Sequence, residues 1–159
     1  MNVDTMIDAF VAHVDPSGEL FRRIGSAPWV ETLEAELPRR FPASFRSLVT
    51  RYAFPAFDAG GLSFFSNTGG DSRAELGVAI FRDDVIAGVT LGSGFIQFAR
   101  PDDGSYDPVC FDATRAASNR EFPLVRLDHE EILCRGGVRG LKVVAPSFYR
   151  FAASIAGRA

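Results

Sequence analysis

The stretch from Phe95 to Asp112 restricts the possible folds of this chain more than any other. Phe95, Ile96 and Phe98 form a short apolar run in which Gln97 is the one polar break. Pro101-Asp102-Asp103-Gly104 follows. Proline presets φ, aspartate caps its own backbone and glycine tolerates positive φ, so each residue favours a turn for its own reason. Tyr106, Val109, Cys110 and Phe111 then resume an apolar strand. Strands joined by a tight turn pair antiparallel, so the stretch is expected to seed an antiparallel sheet.

The flanking sequence reads mostly as helix. Val3, Met6, Ile7, Phe10, Val11 and Val14 fall on one face of an amphipathic helix that ends at Asp15-Pro16-Ser17-Gly18. Leu20, Phe21 and Ile24 suggest one further helical turn before Gly25. Trp29, Val30, Leu33 and Leu37 form the stripe of a second helix, which has Pro28 in its first turn and stops at Pro38. A third helix begins near Pro42, with Phe45, Leu48, Val49 and Tyr52 on one face, and Pro55 closes it. Gly60-Gly61 leads into a strand over Leu62–Phe65.

Ser72 and Glu75 have capping-box spacing, which predicts a helix carrying Leu76, Ala79 and Ile80, with a second short one from Asp84 through Val89. The β-branched residues between Arg73 and Leu91 leave a strand open as the alternative. Beyond the hairpin, Ala113–Arg120 is a polar connection and Phe122–Leu127 a strand, with Pro123 pointing to an edge or a strand start. Asp128 caps a short helix with Glu131 three residues on. Lys142-Val143-Val144 is a brief strand, and Pro146-Ser147 opens a last helix with Phe148, Phe151, Ala152 and Ile155 inward. The sum is a single α+β domain over residues 1–159, a mixed, mostly antiparallel sheet with helices packed on one face.

Composition limits the function classes. A chain of 159 residues buries about two-thirds of its unfolded surface. Its 15 phenylalanines point to an aromatic core. The net charge of −3, with no basic run longer than two residues, argues against direct nucleic-acid binding. No signal peptide and no stretch of roughly 18 apolar residues is visible, so a cytoplasmic location away from membranes is expected. Cys110 and Cys134 lack metal or redox spacing and read as reduced, buried thiols.

Catalytic and cofactor motifs are not apparent. His13 reads as a surface residue and His129 as part of a helix start, and neither has a second histidine at ligand spacing. Gly92-Ser93-Gly94 precedes a strand instead of following one, which makes it a turn and not a nucleophile elbow. The glycine pairs carry neither a phosphate-loop lysine nor a dinucleotide fingerprint, so no cofactor or metal is expected. Asp102, Asp103, Asp107 and Asp112 cluster around the hairpin. Turn chemistry, an acidic protein-binding patch and an acid–base pair are the three readings of that cluster.

Leu37-Pro38 followed by Phe45, Leu48 and Tyr52 resembles the helix entry of the SUKH superfamily. That superfamily includes yeast cell-wall regulators of the Smi/Knr type, YobK-like proteins and many bacterial toxin-immunity proteins. The similarity continues through Phe95-Ile96-Gln97-Phe98-Ala99, then Gly104, Tyr106, Asp107, Val109 and Asp112, and ends with Ala145-Pro146-Ser147-Phe148 and Phe151. It departs from the family pattern at Phe54–Ala59, which intervenes before Gly60-Gly61, and in the long segment Asp71–Leu91.

The resemblance implies a non-enzymatic binding domain, typically an immunity protein that neutralises a cytosol-acting toxin such as a nuclease. Asp102, Asp103, Asp107 and Asp112 are then the candidate contacts, since an acidic face mimics the phosphates a nuclease site expects. The alternatives are a regulatory or scaffold domain without a toxin partner, and an enzyme using the hairpin carboxylates with His129.

Overall fold

The predicted hairpin lies at the centre of a six-stranded antiparallel sheet. The structure, a computed structural model, describes residues 1–69, 74–115 and 120–157. Strands β3 (Phe57–Ala59), β4 (Leu62–Phe64), β5 (Phe95–Pro101), β6 (Val109–Asp112), β7 (Leu124–Arg126) and β8 (Lys142–Ala145) pair in that spatial order, each antiparallel to the next. Every strand therefore pairs with its sequence neighbours. Ile96 faces Phe111 and Gln97 faces Cys110 across the central pair, with a register shift between Gln97 and Ala99.

The connection at the hairpin tip is longer than the turn residues suggest. Strand β5 ends at Pro101 and β6 starts only at Val109, so Tyr106 belongs to the tip and not to the returning strand. Side-chain acceptors explain this. Asp103 Oδ1 takes the Ser105 amide at 2.9 Å and Ser105 Oγ takes the Asp107 amide at 3.1 Å, so local bonds replace ladder bonds.

A second hairpin joins β3 to β4 through Gly60 and Gly61, whose φ values of 58° and 80° match a two-residue turn that needs positive φ twice. A Cβ at position 60 would stand 2.8 Å from both Ile155 and Phe151. Strand β3 lies in the Phe54–Ala59 segment that precedes this glycine pair.

Strand alternation divides the interior in two. Ile96, Phe98, Val109, Phe111 and Leu124 belong to the main core with α1 (Val3–Val14), α3 (Ala43–Arg51), α4 (Glu75–Phe81) and α7 (Phe148–Ile155). Phe95, Cys110 and Val125 belong to a smaller cluster with Ile86 of α5 (Asp84–Gly92) and Ile132 of α6 (His129–Arg135). The expected helical layer thus covers one face, and α5 with α6 adds cover to the other. Phe98 stacks on Phe111 at 4.2 Å between centroids, and Phe148 meets Phe45 edge-on at 5.3 Å.

Gln97 is 1% exposed, and neither side-chain polar atom has a hydrogen-bond partner among the described residues. Its pairing with Cys110 places it on the α5–α6 face, because directly opposed residues point the same way. An unpaired buried amide costs about 1–3 kcal/mol. Gln97→Met, of similar length, is expected to raise stability by about 1–2 kcal/mol in urea unfolding. A loss of stability would mean that the amide has partners.

The N-terminal region differs from expectation after Asp15. Arg22–Arg23 forms β1, which pairs with β2 (Tyr52–Ala53) in place of the helical turn read from Leu20, Phe21 and Ile24. The Asp15 carboxylate accepts the amides of Glu19, Leu20 and Phe21 and fixes an irregular loop, which lets Phe21 pack on Tyr52, Phe54 and Phe57. Those amide bonds, led by that of Phe21, outweigh desolvation and lower the Asp15 pKa.

Helix α2 (Pro28–Glu34) ends before Leu37 because Glu34 turns inward, where it accepts the Phe41 amide at 3.1 Å and Arg46 Nε at 3.1 Å. Glu75 opens α4 as expected, but its capping partner Ser72 lies outside the described residues, and Glu75 accepts from the Ser66 amide instead. Cys110 is buried as expected and burial pushes its thiol pKa up. Cys134 is exposed, contrary to expectation, because α6 is a short helix that buries only Ile132. Among the described residues no helix is long and apolar enough to cross a membrane.

Candidate functional site

The hairpin tip collects the residues singled out from sequence at one end of the sheet. Strand β5 delivers Arg100, the tip delivers Asp102 to Asp107, strand β7 delivers Arg126, and the start of α6 delivers Asp128 and His129. Asp128 is the N-cap of α6 and accepts the Glu130 and Glu131 amides, as the capping spacing predicts. That cap fixes the orientation of His129 beside the tip.

Asp107 organises the cluster. Its Oδ2 accepts from Arg126 Nε at 2.7 Å, and its Oδ1 accepts from the His129 ring Nδ1 at 2.6 Å and the His129 amide at 3.1 Å. Partial burial favours the neutral carboxyl, but the bonds from His129 and Arg126 outweigh it and hold the pKa at about 2. The sign of the linkage follows. Asp107 adds stability fully above its unfolded value of 3.8, and that contribution is lost as the pH falls through about 2. Asp107→Asn is therefore expected to flatten the acid limb of the stability curve between those two pH values, read as urea midpoints against pH. An unchanged limb would remove Asp107 from the linkage.

Tyr106 stands on this scaffold. Two-thirds of it is exposed, at 66%. The Arg100 guanidinium lies 5.5 Å from its ring centroid, and the His129 ring meets it at 6.2 Å and 62°. Arg100 is itself fixed by Asp83 Oδ2 at 2.7 Å and by the Phe65 ring at 5.7 Å. The result is an aromatic side chain presented outward and braced from two sides.

The four aspartates thus separate into distinct environments. Asp102 is exposed, and its amide donates to the Gly61 carbonyl. Asp103 is exposed and lies 3.5 Å from Arg126 Nη1. Asp107 is engaged as described. Asp112 is at the far end of β6, 2% exposed, where it accepts from the Thr114 amide and hydroxyl and meets Arg115 at 3.4 Å. The structure therefore groups Asp103 and Asp107 with Arg126 and His129, turns Asp102 toward Gly61 on the same tip, and leaves Asp112 apart. Sequence reasoning did not place Arg100 and Arg126 in the site. Their one signal is position, at the ends of strands flanking the turn.

Oxygens of Asp107 and Asp128 and a ring nitrogen of His129 lie within 4.8 Å of one another. Both Asp107 oxygens and Asp128 Oδ1 already accept from protein donors, and Arg126 supplies positive charge at 2.7 Å. A divalent cation would compete with that guanidinium. Comparison with protein-family models, curated proteins and solved structures finds no match to this chain.

Proposed function

We propose that the chain is a non-enzymatic protein-binding domain of SUKH type that uses the hairpin tip as its contact surface and neutralises a cytosol-acting toxin, such as a nuclease. The observation that carries the binding role is Tyr106, exposed yet held by Arg100 and His129. Tyrosines of this kind anchor interfaces because they bring a large contact area at little entropic cost. Asp102 and Asp103 beside it supply negative charge that steers a basic partner. The engaged carboxylates of Asp107 and Asp112 favour binding over acid–base chemistry. The toxin-neutralising role rests on the family resemblance. Tight inhibition requires about 1,200–2,000 Å² of interface centred on such an anchor.

Asp102→Lys with Asp103→Lys is expected to keep the sheet while removing the Asp103 bond to the Ser105 amide. It should slow association with the cognate toxin about tenfold or more at low salt, and Asp102→Lys alone should slow it by charge without touching that bond. Stopped-flow association measured against ionic strength reads this. Unchanged kinetics would remove both residues from the interface.

A second reading, a regulatory or scaffold domain, is favoured by the sheet edge. Strand β8 is the last in its sheet, and Val143 and Val144 are exposed there next to exposed Leu141. An apolar edge of this kind accepts an added strand. A toxin gene next to the one for this chain would support the first reading over the second.

A further inference from the structure

A cavity of about 430 Å³ is lined by Arg39, Arg40, Arg46 and Arg120, with Phe41 and Phe122 among its apolar walls. It adjoins the start of β7, at the end of the sheet opposite the hairpin tip. Four arginines line one concavity in a chain of net charge −3.

Their charges are unequally compensated. Arg46 is held by buried Glu34 at 3.1 Å and lies 3.7 Å from Glu31. Arg39, Arg40 and Arg120 are exposed and enter no salt bridge among the described residues. The nearest acid in sequence, Glu121, is committed elsewhere. Its carboxylate is buried and accepts from the Ser44 amide at 2.7 Å, the Ser44 hydroxyl at 2.8 Å and the Tyr149 amide at 3.4 Å. It closes the start of α3 and makes no salt bridge with the cavity arginines among the described residues.

Arg120 is also held in an unusual conformation. Its φ is 59°, in the left-handed region that non-glycine residues rarely occupy. Its carbonyl accepts the Ala43 amide at 3.0 Å, which locks it against α3. Backbone strain of this kind persists where surrounding bonds over-determine it, and it concentrates at ligand clamps.

The geometry points to a binding site for a small anion with two or more phosphoryl groups, separate from the protein-binding tip. Guanidinium forks match phosphoryl oxygens bidentately, and three arginines outside any salt bridge suit a polyanion better than a monoanion. The phosphoryl groups come either from a free oligophosphate or from a nucleotide, whose base would lie toward Phe41 and Phe122.

The test is isothermal titration of the full chain with inorganic pyrophosphate and, separately, with adenosine diphosphate, at constant ionic strength set by chloride. One saturable site per chain is expected. Arg40→Gln with Arg120→Gln should weaken it about tenfold or more, and Arg39→Gln alone should weaken it severalfold. Arg22→Gln with Arg139→Gln removes the same charge outside the cavity and should bind as the wild type does. Similar affinity for both probes assigns the site to phosphoryl groups alone, and tighter binding of the diphosphate nucleotide assigns it to nucleotides. Absence of saturable binding with both probes overturns the proposal, as does equal weakening by the control pair. So does unchanged binding by cavity variants with wild-type melting curves.

Discussion

Phe98→Ala is expected to lower the unfolding free energy by about 3–5 kcal/mol, the range for a large aromatic removed from a packed core. Phe98 is fully buried on the central strand. It stacks on Phe111 at 4.2 Å and meets Phe45 at 5.5 Å, Phe64 at 5.6 Å and Phe148 at 6.2 Å. These rings come from β4, β6, α3 and α7, so one truncation opens a cavity between the sheet and two helices. Volume lost there cannot be refilled without shifting several elements. The urea midpoint reads the effect, and a loss under about 1 kcal/mol would contradict this packing.

Glu121→Ala is expected to cost roughly 2–4 kcal/mol, combining a lost helix cap with buried donors left unpaired. Its carboxylate joins the first turn of α3 to the first turn of α7 through Ser44 and Tyr149. Alanine leaves the Ser44 amide and hydroxyl without that acceptor. Glu121→Gln keeps one acceptor oxygen and should recover part of the loss. Equal stability of the wild type, Glu121→Ala and Glu121→Gln in urea would show that water replaces the carboxylate at no cost.

Much of the fold was legible because its signals are local. The 3.6-residue spacing of Met6, Ile7, Phe10 and Val11 marks α1, and all four side chains are buried. Pro101 to Gly104 marks the hairpin, and Asp128 marks the start of α6. Strands β1 and β2 carry no periodicity because each has only two residues. Strand β3 escaped notice because Phe54–Ala59 read as an interruption before the glycine pair. In the fold, Phe57 opens β3 and Gly60-Gly61 is its turn.

The site was less legible, for a related reason. The aspartates are visible as residue types, but what each one does depends on partners far along the chain. Asp107 meets Arg126 and His129, 19 and 22 residues later, and Glu121 meets Ser44 across 77. Asp112 reads like Asp102 in the sequence, and only sheet pairing separates a buried carboxylate from an exposed one. Tyr106 read as a strand residue because the bonds that hold the tip open, through Asp103 and Ser105, do not show in hydrophobic alternation.

The central claim is that the tip around Tyr106 is where this domain meets a protein partner. The most direct measurement is photocrosslinking in cells that make the chain, with p-benzoylphenylalanine replacing Tyr106 and, as a control, replacing exposed Arg22. One discrete protein adduct is expected from position 106, absent from position 22 and diminished by Asp102→Lys with Asp103→Lys. The purified adduct partner should also bind the unmodified chain. No adduct at 106, or the same adducts at both positions whatever the charge at 102 and 103, would contradict the account.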